Sequence, residues 1–395
     1  MIETIIFIGL GTLAGSLTGI IPGIHPNTVV FTLLPFYFVV NPEFSVFMAF
    51  ISGLGVSHTL HDFLPALFLN APEAESALSS LPGLEMVEKG LGRKAFILTL
   101  IGGLTSAFVF ILSLPVLFLL LEHVYKAIEP FMGYILLFFL FFIILESNSR
   151  LNALIISVLS GVLGMITLNS SFGQQFILMP VFGGLFALPA IFYSLSRDFK
   201  IPEQKNSFVI SSNRVKGGFT GFLAGLLAGT VPGIGAAVST SFLTPLMDNS
   251  RENFITGLGG VNTSDILIAF VALFLIGKPR TGSSVALQTI SNVRLPDIGF
   301  LIGCAVLATG LSGIIALKNL ELFLKFVTRF DFKYIGMCAV SAVILTTFFT
   351  TGLYGLLVLI TSSFIGALAL LTECRASCMA VLIVPAIFFF TGSFI

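Results

Sequence analysis

Hydrophobic positions along this chain form long continuous runs, not the alternation of strands or the one-sided pattern of surface helices. Residues 96–121 carry no charge, and residues 131–145 and 151–168 are almost as apolar. Apolar runs of about 18 residues or more are typical of membrane-spanning helices. Because such runs recur with only short polar breaks between them, the pattern predicts an all-α polytopic membrane protein. The cell membrane is the expected location.

A glycine-rich phrase occurs twice along the chain. Residues 11–24 read GTLAGSLTGIIPGI and residues 221–234 read GFLAGLLAGTVPGI, with nine of fourteen positions identical. The letters ALFL also recur, at residues 66–69 and 272–275. Self-similarity at nearly one offset indicates a tandem duplication. It predicts a first membrane repeat over residues 1–195 and a second over residues 217–395.

The segment between the repeats, residues 196–216, is polar and has more lysine and arginine than acidic residues. That excess predicts a cytoplasmic linker. Each half is expected to contain a Pro-Gly-broken re-entrant hairpin and then about five transmembrane helices. The odd number gives the halves opposite orientations, hence two inverted-topology repeats. Three cations, Lys278, Arg280 and Arg294, then lie on the outer side, unless the topology is wrong or they serve a site.

The repeated phrase has a physical reason to mark a binding site. Glycines four residues apart let another helix approach closely, and the Pro22-Gly23 and Pro232-Gly233 pairs then break the helices that carry these glycines. In a bilayer, broken helices are tolerated only where they are buried in protein or line a polar cavity. Paired interrupted segments in two halves therefore indicate a transporter's binding site. The alternative is a pair of ordinary kinked helices packed by glycine.

Polar residues follow each broken segment. His25 and Asn27 come directly after the first one, and GVSHTLHDF (55–63) aligns with GVNTSDILIAF (260–270). Each segment places several polar groups before an apolar run: Ser57, His58, His61 and Asp62 in the first half, and Asn262, Thr263, Ser264 and Asp265 in the second. Because burying ionisable side chains in a membrane is costly, they mark functional sites by default. We expect Asp62 and Asp265 to take a coupling cation, Na+ or H+; a water-facing loop is the alternative.

Three motifs resemble those of a known family. They are G-x-x-x-G-x-x-P-G near the N-terminus, LFLNAPEAESALSSLPGLEMVEKGLGRKAF (67–96) and LFLIGKPRTGSSVALQ (273–288). Together they resemble the large membrane subunit (TctA type) of the tripartite tricarboxylate transporters, closest to its archaeal branch. The resemblance implies secondary transport of carboxylates such as citrate. It also implies two partners, a small membrane subunit and a soluble extracytoplasmic binding protein.

The leading hypothesis is a secondary active transporter of a small carboxylate, possessing no cofactor beyond its coupling ion. Substrate is expected at two facing broken hairpins, with alternating access. Glycine-rich faces leave a homodimer open, and without a polybasic patch the sequence predicts no nucleic-acid partner. The candidate substrate-binding residues are Pro22, Gly23, His25, Asn27, Ser57, Asn70, Pro232, Gly233, Asn262, Thr263, Lys278, Arg280 and Ser283.

Two other classes stay open. Broken hairpins that meet at mid-membrane also describe a channel or a structural membrane subunit. An intramembrane metal enzyme would use His58, His61 and Asp62 as ligands. That set lacks the glutamate of H-E-x-x-H and a nearby third histidine, so a non-enzyme is expected.

Overall fold

The structure is a computed structural model that describes residues 2–22, 24–71, 80–172, 174–196, 201–206, 209, 214–243, 250–329 and 332–392. These residues form helices and connecting turns without a strand. The helices are α1 (Ile2–Ile20), α2 (Pro26–Val40), α3 (Phe44–His61), α4 (Phe63–Phe68), α5 (Ser80–Glu88), α6 (Gly92–Ile128), α7 (Met132–Glu146), α8 (Arg150–Leu168), α9 (Gln174–Phe182), α10 (Leu188–Ser196), α11 (Arg214–Thr230), α12 (Ala236–Leu243), α13 (Arg251–Leu275), α14 (Gly282–Ile290), α15 (Leu295–Arg329), α16 (Phe332–Leu371) and α17 (Ala380–Phe390).

Among the described residues, eight helical segments are long and apolar enough to cross a membrane. Many large hydrophobic side chains on these helices are exposed, as expected of a surface that faces lipid rather than water. The prediction of an all-α polytopic membrane protein is therefore confirmed.

Each Pro-Gly pair interrupts a helix, as the sequence predicts. α1 ends at Ile20 and α2 begins at Pro26, whose missing N–H costs nothing at a first helical position. α11 ends at Thr230 and α12 begins at Ala236. Between them Gly233 has a φ of 78°, a conformation that glycine adopts without strain. Whether the chain re-enters the membrane here, and whether the halves are inverted, remain predictions.

The order of helices repeats between the halves. α1, α2 and α3 correspond to α11, α12 and α13, and α6 corresponds to α15. α7 and α8 correspond to the two arms of α16, which breaks at Gly352 with a φ of 62°. The long helix of each half packs on the other half, because α6 contacts α13 and α15 contacts α3. The two halves are therefore interlocked rather than set side by side.

The glycine stripes of α1 and α11 make equivalent contacts. A Cβ added to Gly15 would lie 3.0 Å from the backbone N of His58, and one added to Gly225 would lie 3.0 Å from that of Asp265. Packing therefore pairs His58 with Asp265 and Ser57 with Ser264. The sequence alignment, which sets Gly55 on Gly260, is wrong by two residues. Asp62 and Asp265 do not occupy equivalent positions.

Buried apolar side chains of the described residues form three large regions. One packs α3, α6, α13 and α15 together, a second lies around α4, α6, α13 and α15, and a third packs α7, α8, α16 and α17. The second broken segment contributes Val231 and Ile234 to the third region, and Ala236, directly after it, belongs to the second region. The second broken segment is thus held where packed groups of helices meet.

Parts of the predicted linker, and Gly23, lie outside the described residues. Within the linker, residues 201–206 rest on the turn between α5 and α6, where the Gln204 amide oxygen accepts from the backbone N of Gly92 at 2.7 Å. Lys205 N also donates to Gly90 O at 2.9 Å. The boundaries 1–195, 196–216 and 217–395 remain predictions.

Candidate functional site

A cavity of about 220 Å³ lies where the two broken segments meet. The first turns of α2 and α12 contribute to its lining through His25, Pro26, Gly235 and Ala236. The start of α14 contributes Thr281, whose side chain caps that helix by accepting from Ser284 N at 3.2 Å. Because the first N–H groups of a helix have no partner within it, the starts of α12 and α14 offer hydrogen-bond donors here. The start of α2 adds positive partial charge, but its Asn27 N–H already donates to His25 Nδ1 at 3.1 Å.

The wall of the cavity comes from α3 and α13. Gly55 and His58 line it from α3, and their packing counterparts Asn262 and Asp265 line it from α13. The same two turns therefore face the cavity in both halves, but with different side chains. The two sides of the site therefore differ in chemistry.

A buried hydrogen bond joins the two halves across this wall. The Asn262 amide donates to the Oδ2 atom of Asp62 at 2.9 Å and to the carbonyl of Thr59 at 3.2 Å. Asp62 is only 2% exposed. A buried carboxylate needs such donors, since losing them would leave its charge uncompensated.

Two histidines lie on one side of the cavity. The ring centroids of His25 and His58 are 5.4 Å apart. The Thr18 hydroxyl lies 3.0 Å from both His58 Nδ1 and the carbonyl of Gly15. Because a hydroxyl has one hydrogen and the carbonyl can only accept, we assign Nδ1 of His58 as the donor to Thr18.

Arg280 brings a guanidinium group to the lining of the cavity. It donates to the carbonyl of Thr230 at 2.8 Å and to the Tyr125 hydroxyl at 3.1 Å, and it lies over the Tyr125 ring. Thr230 is the last residue of α11, so Arg280 satisfies a carbonyl that the helix leaves unpaired. The Nε atom of Arg280 is buried and has no acceptor among the described residues. A buried donor of this kind needs an explanation, and a bound anion supplies one.

The cavity brings together most of the site residues predicted from the sequence. Each half contributes residues from its broken segment and from its wall helix, α3 in the first half and α13 in the second. The predicted residues that line it are His25, Asn27, Asp62, Pro232, Gly233, Asn262, Asp265, Arg280 and Ser283.

Two other predicted residues have partners elsewhere. The Asn70 amide donates to the carbonyl of Ala190 at 3.0 Å and to the Ser194 hydroxyl at 2.9 Å, which ties the end of α4 to α10. Lys278 forms an ion pair with Glu129, and that hydrogen bond raises the pKa of the Lys278 ammonium above its usual range. Neither residue lines the cavity.

Three further candidates lie outside the lining. The Ser57 hydroxyl accepts from Ser312 at 3.0 Å, Thr263 is fully buried, and Pro22 is half-buried. Gly23 lies outside the described residues. The third cation of the 278–294 segment, Arg294, bonds to Asp297 at 3.2 Å on an exposed surface. Of the three cations Lys278, Arg280 and Arg294, Arg280 is the one that lines the cavity.

The proposed metal ligands do not form a centre. His61 donates from Nδ1 to the carbonyl of Ser57 at 2.7 Å and does not line the cavity. Within the described ranges, no group of three or more histidine, cysteine or acidic residues could hold a metal ion. The geometry therefore gives the enzyme hypothesis no support.

Sequence reasoning missed an apolar part of the lining. Leu178 and Phe182 of the α9 segment, with Met379 and Leu382 near the start of α17, face the broken segments. Nothing distinguishes these residues from the rest of their apolar runs, so no sequence signal identifies them. Thr281 also lines the cavity, and its T-G-S-S context at a helix start is a signal that capping rules could have used.

Comparison with known proteins gives the following matches. The model of a family described as the tripartite tricarboxylate transporter TctA family matches residues 5–381. An uncharacterized protein of Methanocaldococcus jannaschii is 28% identical over 403 aligned positions, which cover 98% of each chain. An uncharacterized 52.8 kDa protein of Agrobacterium vitis is 27% identical over 311 positions, covering 70% of this chain and 61% of its own. No solved structure matches the chain.

Proposed function

Because the chain belongs to the tripartite tricarboxylate transporter TctA family, we propose that it is a secondary active transporter of a small carboxylate in the cell membrane. The match confirms the resemblance predicted from the sequence motifs. One observation carries the proposal: Arg280, with a buried unpaired Nε–H, shares a single cavity with two broken helices. Paired broken helices are where secondary transporters bind their substrates.

The cavity has the donors that a carboxylate needs. Helix N-termini favour anions because their free N–H groups and their dipole both attract negative charge. The starts of α12 and α14 provide two of them, and the start of α2, where His25 caps the Asn27 N–H, adds its dipole. Arg280 adds a charge-assisted hydrogen bond, which is roughly twice as strong as a neutral one. Ser283 and Asn27 add neutral groups that orient the substrate.

The coupling ion in this proposal is Na+ or H+, taken by the two carboxylates of the lining, Asp62 and Asp265. Access alternates when the helices around α16 and α17 move against those around α3 and α13, because the cavity is lined from both groups. A small membrane subunit and an extracytoplasmic binding protein are the proposed partners, by analogy with the tripartite family.

Counterflow in proteoliposomes tests this function. Vesicles loaded with unlabelled carboxylate are diluted into a trace of the same labelled carboxylate, with lactate, succinate and citrate used in turn. A carrier gives a transient, saturable accumulation of label with at least one of them, because inward and outward steps share one site. Non-saturable entry without overshoot would indicate a channel. No protein-dependent entry of any of the three would overturn the proposal.

A further inference from the structure

The side chain of His25 controls a hydrogen-bond donor at the start of α2. His25 precedes the first helical residue, Pro26, and its Nδ1 atom accepts from the backbone N–H of Asn27 at 3.1 Å. Pro26 has no N–H, and the N–H of Thr28 donates to the carbonyl of His25 at 3.0 Å. The Asn27 N–H is therefore a donor of the first turn whose availability depends on the imidazole.

This capping bond determines where the ring can take up a proton. A nitrogen that accepts a hydrogen bond carries no hydrogen, so the ring hydrogen of neutral His25 is on Nε2. An added proton then binds at Nδ1 and occupies the lone pair that the Asn27 N–H uses, and the capping hydrogen bond breaks. Uptake of one proton thus frees a backbone donor and adds one positive charge at the same place.

Both changes take place in the lining of the cavity. His25 and Asn27 line it, and a Cβ added to Gly282, the first residue of α14, would lie 2.5 Å from the Asn27 side chain. The starts of α2 and α14 are therefore neighbours. Arg280, whose Nε atom is buried without an acceptor among the described residues, lines the same cavity. An anion bound there meets the freed N–H and the imidazolium together.

The neighbouring histidine differs in its hydrogen bonding. The ring of His58, on α3, lies 5.4 Å from that of His25. Its Nδ1 carries the hydrogen donated to Thr18, so a proton added to His58 leaves that bond in place. Two imidazolium charges this close would repel each other strongly in a protein interior, so the pair takes up one proton. On His25 that proton changes the start of a helix.

The other charges that face the two rings come from three parts of the chain. Within the described residues, the remaining ionisable groups of the lining are one carboxylate on α3, one on α13 and a guanidinium before α14, which are Asp62, Asp265 and Arg280. The carboxylates attract a proton to the rings, whereas the guanidinium opposes it. A substrate carboxylate that pairs with Arg280 offsets this opposition, so proton and substrate promote each other's binding.

Building on the proposed function, we infer that the coupling ion is H+ and that His25 binds it, with Asp62 and Asp265 balancing its charge. A proton from solution forms the Nδ1–H bond of His25, the hydrogen bond from Asn27 N–H to Nδ1 breaks, and the freed N–H and the imidazolium bind the substrate carboxylate. When the carboxylate leaves, the proton leaves Nδ1 and the cap re-forms. One proton accompanies each substrate molecule.

Calorimetric titration of the purified full-length protein counts the protons. Lactate, succinate and citrate are titrated in turn at pH 7.5 and pH 8.5, at one fixed sodium concentration, in two buffers whose heats of ionisation differ. The difference between the two binding heats gives the number of protons taken up with each carboxylate. We expect uptake approaching one proton, and an affinity that falls by up to about tenfold over this pH unit.

The outcomes separate this inference from the proposed function. Binding without proton uptake at either pH would overturn the inference and leave the proposed function standing. Binding of none of the three carboxylates would overturn both.

A variant that keeps the cap but does not titrate tests His25 itself. His25→Asn retains a side chain that caps helices well but takes up no proton, so its carboxylate binding should be weaker and without proton uptake. His123→Asn removes an exposed histidine of α6 and should keep the wild-type uptake. Wild-type proton uptake in a folded His25→Asn protein would overturn the role of His25. Should His25→Asn not fold, His25→Ser, which also caps helices without titrating, is interpreted in the same way.

Discussion

At the scale of single residues, the site depends on a few side chains that the fold holds in unusual positions. Arg280 is fixed by the last carbonyl of α11 and by Tyr125, which aims a guanidinium at the cavity. Asp62 is fixed by Asn262 from the other half. Polar groups buried in a membrane are retained at a cost in stability, so their convergence on one cavity indicates function rather than packing.

Gly233 gives the residue-scale prediction. It has a φ of 78°, and an added Cβ would lie 3.1 Å from Ala386. Gly233→Ala should cost roughly 1–2 kcal/mol of stability from the backbone strain alone and displace the second broken segment, weakening carboxylate binding. The measurement is a pair of melting curves, with and without lactate.

Gly277 supplies the matched control for this prediction. It also has a positive φ, of 71°, but an added Cβ would meet nothing within 4 Å. Gly277→Ala should therefore lose similar stability while the stabilisation by lactate persists. Wild-type stabilisation by lactate in Gly233→Ala would show that this segment does not shape the site.

At the scale of helices, the glycine stripe of α1 sets the position of the α3 wall. Gly15 packs on the backbone at Leu54 and His58 so closely that any Cβ would overlap it. Gly15→Ala should cost about 1–3 kcal/mol, as overpacking does, and move His58 relative to the cavity. Gly9→Ala on the same helix meets nothing within 4 Å and should be neutral or slightly stabilising. Equal melting temperatures for the two variants would contradict the close packing of α1 on α3.

The helix scale also shows what the sequence could and could not predict. The two helix breaks were predictable, because Pro-Gly after a glycine stripe has a direct backbone consequence at Pro22 and Pro232. The register between the wall helices α3 and α13 was not predictable. Alignment of identical residues makes Gly55 the equivalent of Gly260, whereas the packing contacts make Gly53 its equivalent. Similar small residues occur at several neighbouring positions, so only the contacts with α1 and α11 fix which turns are equivalent.

At the scale of the whole molecule, the cavity lies between two groups of helices and draws residues from both halves. Arg280 was predictable as a candidate because its charge conflicts with the expected topology. The contribution of α9 and α17 was not, because an apolar lining residue looks like any other residue of a membrane helix. The interlocked packing explains why side chains from both halves converge on this cavity.

The most direct test of the central claim is whether a carboxylate stabilises the folded protein through Arg280. Melting of the purified wild-type protein would be measured with and without lactate, beside Arg280→Gln and the exposed control Arg294→Gln. A ligand at 100 times its dissociation constant stabilises by about 2.7 kcal/mol, so wild type and Arg294→Gln should both melt higher with lactate. Arg280→Gln should lose most of that shift. A full shift in Arg280→Gln would contradict the account, because the carboxylate would then bind somewhere other than this cavity.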